Sequence, residues 1–289
     1  MHIVLWIVIG LVFLYLLTSF LIANGIAMSL RRSLAMTPAM FGLSYENVSF
    51  YSRIDNVLLK GWYISAGTKR TIIAMPGGKQ TREDRSTKML ELCVDLAKQG
   101  YNVLVFERRG CGESQAAKFS CRSVLGRDFS GAIDYIKKRK GQEENIILLG
   151  VSIGASAAIS SARENDDIEA VICDSCFTSI PEMTKRVLAN AFKPFVIFKP
   201  GSVLMGRLFF GLDRESAIDK VPHIKCPIFF INGSEDTSVP PSDAYSLLDA
   251  SNNPSDDIWI ADGAGHSQSY MTYPREYVEK IVQFISDRL

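Results

Sequence analysis

The chain has 289 residues, 47% of them hydrophobic, and a net charge of +1. It is long enough to bury one large core, and it carries no overall field that would draw nucleic acid or another polyanion. Six cysteines permit disulfides by count, but several lie in apolar runs, where a free thiol packs as a small hydrophobe.

Ile3 to Leu30 is free of charged side chains and is closed by Arg31-Arg32. Roughly 20 apolar residues cross a bilayer as a helix, so this stretch is long enough to span. A cleaved signal peptide competes, with Gly25-Ile26-Ala27 as a small-residue cleavage site. Such a peptide normally shows a basic leader and a shorter apolar core, whereas only His2 and the amino terminus precede this run. The expectation is a retained single-pass anchor over residues 1–30, followed by one domain over 31–289. Arg31-Arg32 places that domain on the cytoplasmic side under the positive-inside rule.

From Tyr45 the texture becomes that of short strands. Val48 to Ser52 and Val57 to Ser65 read as an antiparallel pair ahead of the first buried strand, Thr71 to Met75, which ends in Pro76-Gly77-Gly78-Lys79. Lys88 to Gln99 follows as an amphipathic helix closed by Gly100. Tyr101 to Phe106 is the next strand and leads into Glu107-Arg108-Arg109-Gly110-Cys111-Gly112-Glu113-Ser114. Ser123 to Lys140 is a helix with its positive charges late, where the dipole favours them.

In Asn145 to Ile159 an apolar run is cut by Gly150, a serine stands between glycines, and small residues of helical character follow. Gly150-Val151-Ser152-Ile153-Gly154 fits G-x-S-x-G in the strand, turn, helix context that gives the pattern meaning. A serine on such a turn projects its hydroxyl, and the glycines remove side chains that would collide with the neighbouring strand and helix. The Ile153 N–H, at the start of the helix, points toward the place where an oxyanion would form. The competing reading is a glycine-rich turn with an incidental serine, and the motifs downstream weigh against it.

Ala170 to Asp174, Ile228 to Asn232 and Asp257 to Ile260 are three further apolar runs. Alternating strands and helices with β-branched runs predict an α/β fold, a mostly parallel sheet covered on both faces. Ligands bind such sheets outside the carboxyl ends of the strands, where every motif singled out here lies. Cys173-Asp174-Ser175-Cys176 has redox spacing but follows a strand rather than opening a helix, so two structural thiols are expected. Residues 179–221 interrupt the alternation with a long aromatic helical stretch, too long for one crossover helix, and read as a cap.

A serine hydroxyl needs an adjacent base, and the base needs a partner to fix its tautomer. Of three histidines, His2 lies in the apolar segment and His223 leads into a strand. His266 follows the last strand in Gly263-Ala264-Gly265-His266-Ser267 and is the base by position. Asp236, in Asn232-Gly233-Ser234-Glu235-Asp236-Thr237-Ser238-Val239-Pro240, is the candidate acid, with Glu235 and Asp174 as alternatives. A second oxyanion donor is expected after the first buried strand, from Gly78 or, next, Lys79.

These residues resemble the α/β-hydrolase superfamily, and within it the lipophilic serine hydrolases that have an N-terminal membrane segment. The resemblance covers Tyr45 to the C-terminus. It rests on Arg109 to Ser114 (R-G-x-G-x-S), the Gly150 to Gly154 elbow, the Asn232 to Pro240 acid loop and Gly265-His266. Pro76 stands where the family has histidine before glycine, and Asn232 replaces the histidine of the acid loop. The resemblance implies an α/β-hydrolase fold with a helical cap and a serine hydrolase acting through an acyl-enzyme at Ser152. Asp236 and His266 would complete a catalytic triad, Gly78 and Ile153 would form the oxyanion hole, and no metal or organic cofactor is implied. The expected partners are a small-molecule acyl substrate, lipophilic by its greasy cap, and the membrane. An aminopeptidase-like serine peptidase is one alternative. A catalytically silent binding protein of the same fold is another, against which the complete Ser, Asp and His set argues.

Overall fold

The computed structural model describes residues 2–27, 33–78, 80–117, 125–140, 145–212 and 216–288. Leu30, Arg31-Arg32, Lys79 and Ser123, which carry expectations from the sequence, lie outside them.

Apolar runs with a period of two make strands, and here both faces of the inner strands are buried. In β3 (Arg70–Met75) Ile73 and Met75 join one apolar cluster while Ile72 and Ala74 join the other. In β5 (Asn145–Val151) Ile146 and Leu148 face the first cluster, Ile147 and Leu149 the second. That double burial requires helices on both sides of the sheet. With β1 (Glu46–Tyr51), β2 (Leu58–Ile64), β4 (Asn102–Phe106), β6 (Ile168–Asp174), β7 (Ile228–Gly233) and β8 (Asp257–Ala261), they form an eight-stranded sheet in the order β1-β2-β4-β3-β5-β6-β7-β8. Only the β1–β2 and β2–β4 pairs are antiparallel.

Helices α2 (Met89–Lys98) and α9 (Pro274–Arg288) cover one face. The other is covered by α3 (Leu125–Lys140), α4 (Ile153–Glu164) and α8 (Pro241–Ala250). The strand order reverses about β3, so the crevice beyond the carboxyl ends of β3 and β5 is the place where such a sheet binds ligands.

Between β6 and β7 the chain forms α5 (Ile180–Ala191), a 3-10 turn (Lys193–Phe198), α6 (Lys199–Phe209) and α7 (Ala217–Lys220). Ser179 opens α5 as a cap, its Oγ accepting from the Glu182 N–H. The helix α1 (His2–Ala27) is long and apolar enough to cross a membrane. Its second half packs on α6. After α1, the Ala35 and Met36 N–H groups donate to the Glu83 carboxylate, fastening the connecting segment to the globular domain.

Candidate active site

The β5–α4 turn is forced by its neighbours. A Cβ on Gly150 would lie 2.3 Å from the Gly154 backbone, and one on Gly154 would lie 2.3 Å from the Met75 carbonyl oxygen. Only glycine lets α4 fold back this tightly on β5 and β3. Ser152 takes φ 54°, ψ −112°, a left-handed conformation costly for a side-chain residue, and its N–H donates to the Asp174 carbonyl at 2.7 Å.

Ser152 Oγ lies 3.1 Å from Nε2 of His266. Nδ1 of the same ring lies 2.7 Å from Asp236 Oδ2. A carboxylate only accepts, so Nδ1 carries the proton and leaves Nε2 to accept from the serine hydroxyl. Asp236 is buried, and its Oδ1 accepts from the Ser238 and Val239 N–H groups at 2.9 and 2.7 Å. The two loops that bring this pair together are laced by backbone. The Glu235 N–H donates to Ala264 O at 2.9 Å, and a Cβ on Gly233 would meet that oxygen at 2.2 Å.

The alternative acids lie elsewhere. Glu235 is exposed. Asp174 is buried and accepts from Ser175 Oγ at 2.9 Å and Tyr277 OH at 3.1 Å. Burial pushes its carboxyl up to about 6 against the opposing effect of the Ser175 and Tyr277 hydroxyls. The Ser175 hydroxyl also accepts from the Ser267 N–H at 3.0 Å, so Asp174 supports the His266 loop from below. His223 is exposed at the approach to β7, as expected of a structural lead-in.

Two backbone N–H groups near the serine are free to donate. Ile153 is the first residue of α4, where no carbonyl stands one turn back. Gly78 has no acceptor for its N–H among the described residues. The Gly77 carbonyl accepts from the Gln80 N–H at 3.3 Å, which turns the Gly78 N–H of that trans peptide the opposite way. The Gly77 N–H is engaged by Gln80 Oε1 at 2.8 Å. The next peptide is held by Arg108, whose Nε donates to the Gly78 carbonyl at 2.7 Å.

Arg108 is buried and was not singled out from sequence. The available signal was a second arginine beside Arg109, directly past a strand end. Arg109 itself is structural, paired with Asp55 and Asp128. Ser114 accepts from the Lys60 N–H and donates to the Glu107 carbonyl, which closes the Arg109 to Ser114 turn. Asn232, the departure in the acid loop, donates to the Val239 carbonyl at 2.9 Å and so braces the segment that presents Asp236.

Cys173 lies within β6 and Cys176 just after it, both as free buried thiols. Among the described residues no cluster of three or more His, Cys, Asp or Glu is arranged to hold a metal ion.

A family profile described as serine aminopeptidase S33 matches residues 68–209. The α/β hydrolase domain-containing protein WAV2 of Arabidopsis thaliana is 26% identical, covering 73% of this chain and 68% of that protein. The lysophosphatidylserine lipase ABHD12 of Macaca fascicularis is 28% identical over 62% of this chain and 45% of its own. Among solved structures, the Pyrococcus furiosus esterase Pf2001 superposes with a TM-score of 0.76 at 25% identity, covering 90% of this chain and 99% of that one.

Proposed function

Because this chain belongs to the α/β-hydrolase superfamily, we propose that it is a membrane-tethered serine hydrolase that cleaves ester, thioester or amide bonds of a lipophilic acyl substrate. The observation that supports this most is the unbroken hydrogen-bonded chain from Ser152 through His266 to Asp236. In this reading Ser152 Oγ attacks the acyl carbon while His266 Nε2 takes its proton. The proton then passes to the leaving group and an acyl-enzyme remains. Water then attacks the acyl carbon, giving a proton to His266, which returns it to Ser152 Oγ as the acyl–oxygen bond breaks and the acid leaves. Asp236 holds the imidazole in the tautomer that accepts from Ser152. The Ile153 and Gly78 N–H groups receive the oxyanion, where one donor typically supplies roughly 3 kcal/mol.

Residues 1–30 serve as the anchor and residues 31–289 as the hydrolase domain, with the cap at about 179–221. Arg31-Arg32 orient that domain toward the cytoplasm. Apolar side chains beside the elbow support a lipophilic substrate: Ile153 and Met183 pack against the cluster of Phe177, Ile180, Leu212 and Val239.

A second reading, a serine peptidase, is favoured by the description of the matching family profile. Purified protein would be treated with a fluorophosphonate probe and then assayed on acyl esters of graded chain length, thioesters and aminoacyl amides. Labelling abolished in Ser152→Ala, with turnover rising with acyl length, supports the hydrolase of lipophilic esters. Preferential turnover of the amides supports the peptidase. Folded protein that neither labels nor turns over is a silent binding protein.

A further inference from the structure

We infer that the cap helix α6, with the aromatic turn before it, lies inside the leaflet next to the hydrolase domain and opens the site to acyl chains from within the bilayer. The inference rests on the tethered reading of α1 and goes beyond it, because a tether alone would leave the cap in water.

The argument is one of depth. Helix α1 has 26 residues, about 39 Å at 1.5 Å per residue. The hydrocarbon layer is about 30 Å thick, so at most about 9 Å of α1 can stand clear of it. The contacts between α1 and the cap lie well back from the helix end. Tyr15 stacks on Phe198 with ring centroids 5.4 Å apart, and its hydroxyl accepts from the Gly201 N–H at 3.1 Å. Ser19 lies so close to α6 that a Cβ on Gly201 would meet its Oγ at 2.2 Å. Tyr15 is about 18 Å and Ser19 about 12 Å along the axis from Ala27. Even with the whole excess length on the domain side, both contacts fall inside the hydrocarbon, and α6 goes with them.

The surface of the segment agrees. Phe192, Phe195, Ile197, Leu204, Leu208 and Phe209 are exposed, and Phe209 meets Phe20 of α1 edge-on with ring centroids 5.6 Å apart. Residues 192–209 contain no Asp or Glu, while Lys193, Lys199 and Arg207 are basic. Lys199 is paired with Glu182 at 2.7 Å. Long basic side chains reach back to headgroups from such a position, and a basic, acid-free segment suits an anionic leaflet. Apolar side chains also link the two places, since Val203 of α6 and Ile153, the residue after Ser152, pack against the same buried cluster.

The test places single cysteines at Leu14, Leu204, Leu208 and Lys225 of the full chain and labels them with an environment-sensitive nitrobenzoxadiazole dye. The unsubstituted chain carried through the same labelling serves as the blank. Lys225 is 72% exposed at the amino end of β7, away from the cap. Each labelled variant is first shown to keep the parent's unfolding temperature in detergent. The proteins are then reconstituted in phosphatidylcholine–phosphatidylglycerol vesicles containing acyl-chain nitroxide lipids. Dyes at 204 and 208 should shift to shorter wavelength and lose most of their emission to the nitroxide, as the dye at 14 does, while the dye at 225 stays bright. Quenching at 14 with water-like, unquenched emission at 204 and 208 overturns the immersed cap and leaves the tether standing. No quenching at 14 overturns the tether and the immersed cap with it.

Discussion

The carboxylate of Asp236 meets Nδ1 of His266 at 2.7 Å while its other oxygen is fixed by two backbone N–H groups, so the imidazole is aimed by a group that cannot turn away. Replacing Asp236 by Asn keeps the shape but offers Nδ1 a partner that can also donate, which frees the ring to adopt the other tautomer. Asp236→Asn is expected to lower kcat by about 10³- to 10⁴-fold with little change in KM, as in comparable triads. Steady-state kinetics on a soluble ester would read this, and a loss confined to KM would contradict it.

Two glycines should respond oppositely to the same methyl group. Gly154→Ala drives a Cβ to 2.3 Å from the Met75 carbonyl, a contact that only backbone movement relieves. We expect a loss on the order of 1–3 kcal/mol of stability and a displaced elbow. At Gly78 a Cβ meets nothing within 4 Å, so Gly78→Ala should fold like the parent. Thermal melts of both variants, with the rate of fluorophosphonate labelling, test the contrast.

Arg108 clamps the Gly78 carbonyl, and lysine keeps its charge without the planar fork that makes the contact. Arg108→Lys is therefore expected to cost roughly ten- to a hundredfold in kcat by loosening a donor loop whose full loss costs more. A merely structural arginine would lower the melting temperature and leave kcat per active site, titrated with the probe, unchanged.

Much of this arrangement was legible in the chain, because strand periodicity and turn chemistry are local. The apolar runs of β3 and β5, the glycines at 150 and 154, and the positions of Ser152, Asp236 and His266 past strand ends are all readable without coordinates. Contacts between residues distant in sequence were not. Nothing near Arg108 announces that its side chain folds onto Gly78. Asn232 looked like a departure until its amide was seen on the Val239 carbonyl. Pairing of Tyr15 with Phe198 and Gly201 joins two segments nearly 190 residues apart in the chain. Asp174 ends a strand and Asp236 follows one, and the loop lacing of Glu235 to Ala264 decides which carboxylate reaches the histidine.

Asp174 gives a pH prediction with a defined sign. Burial raises its carboxyl from 3.8 to about 6, so between these values the folded chain binds more protons than the unfolded one. Its stabilising effect is complete below about pH 3.8 and is lost as pH rises through about 6. An Asn at 174 does not titrate. Compared with the parent, Asp174→Asn should gain about 2 kcal/mol in relative stability between pH 4 and 7. Denaturant melts across that range measure the difference, and a flat difference would refute the assignment.

Cys93, Cys111, Cys173 and Cys176 are free thiols enclosed in the interior, and burial raises Cys93 and Cys173 well above the ordinary thiol range. A sulfur sealed from solvent does not react with iodoacetamide. Alkylation at these positions therefore has to wait for the fold to open, and its rate under native conditions counts those openings. Cys93 belongs to the cluster on one side of the sheet, and Cys173 and Cys176 to the cluster on the other. The order in which mass spectrometry finds them modified would tell which side comes apart first, with no added reporter.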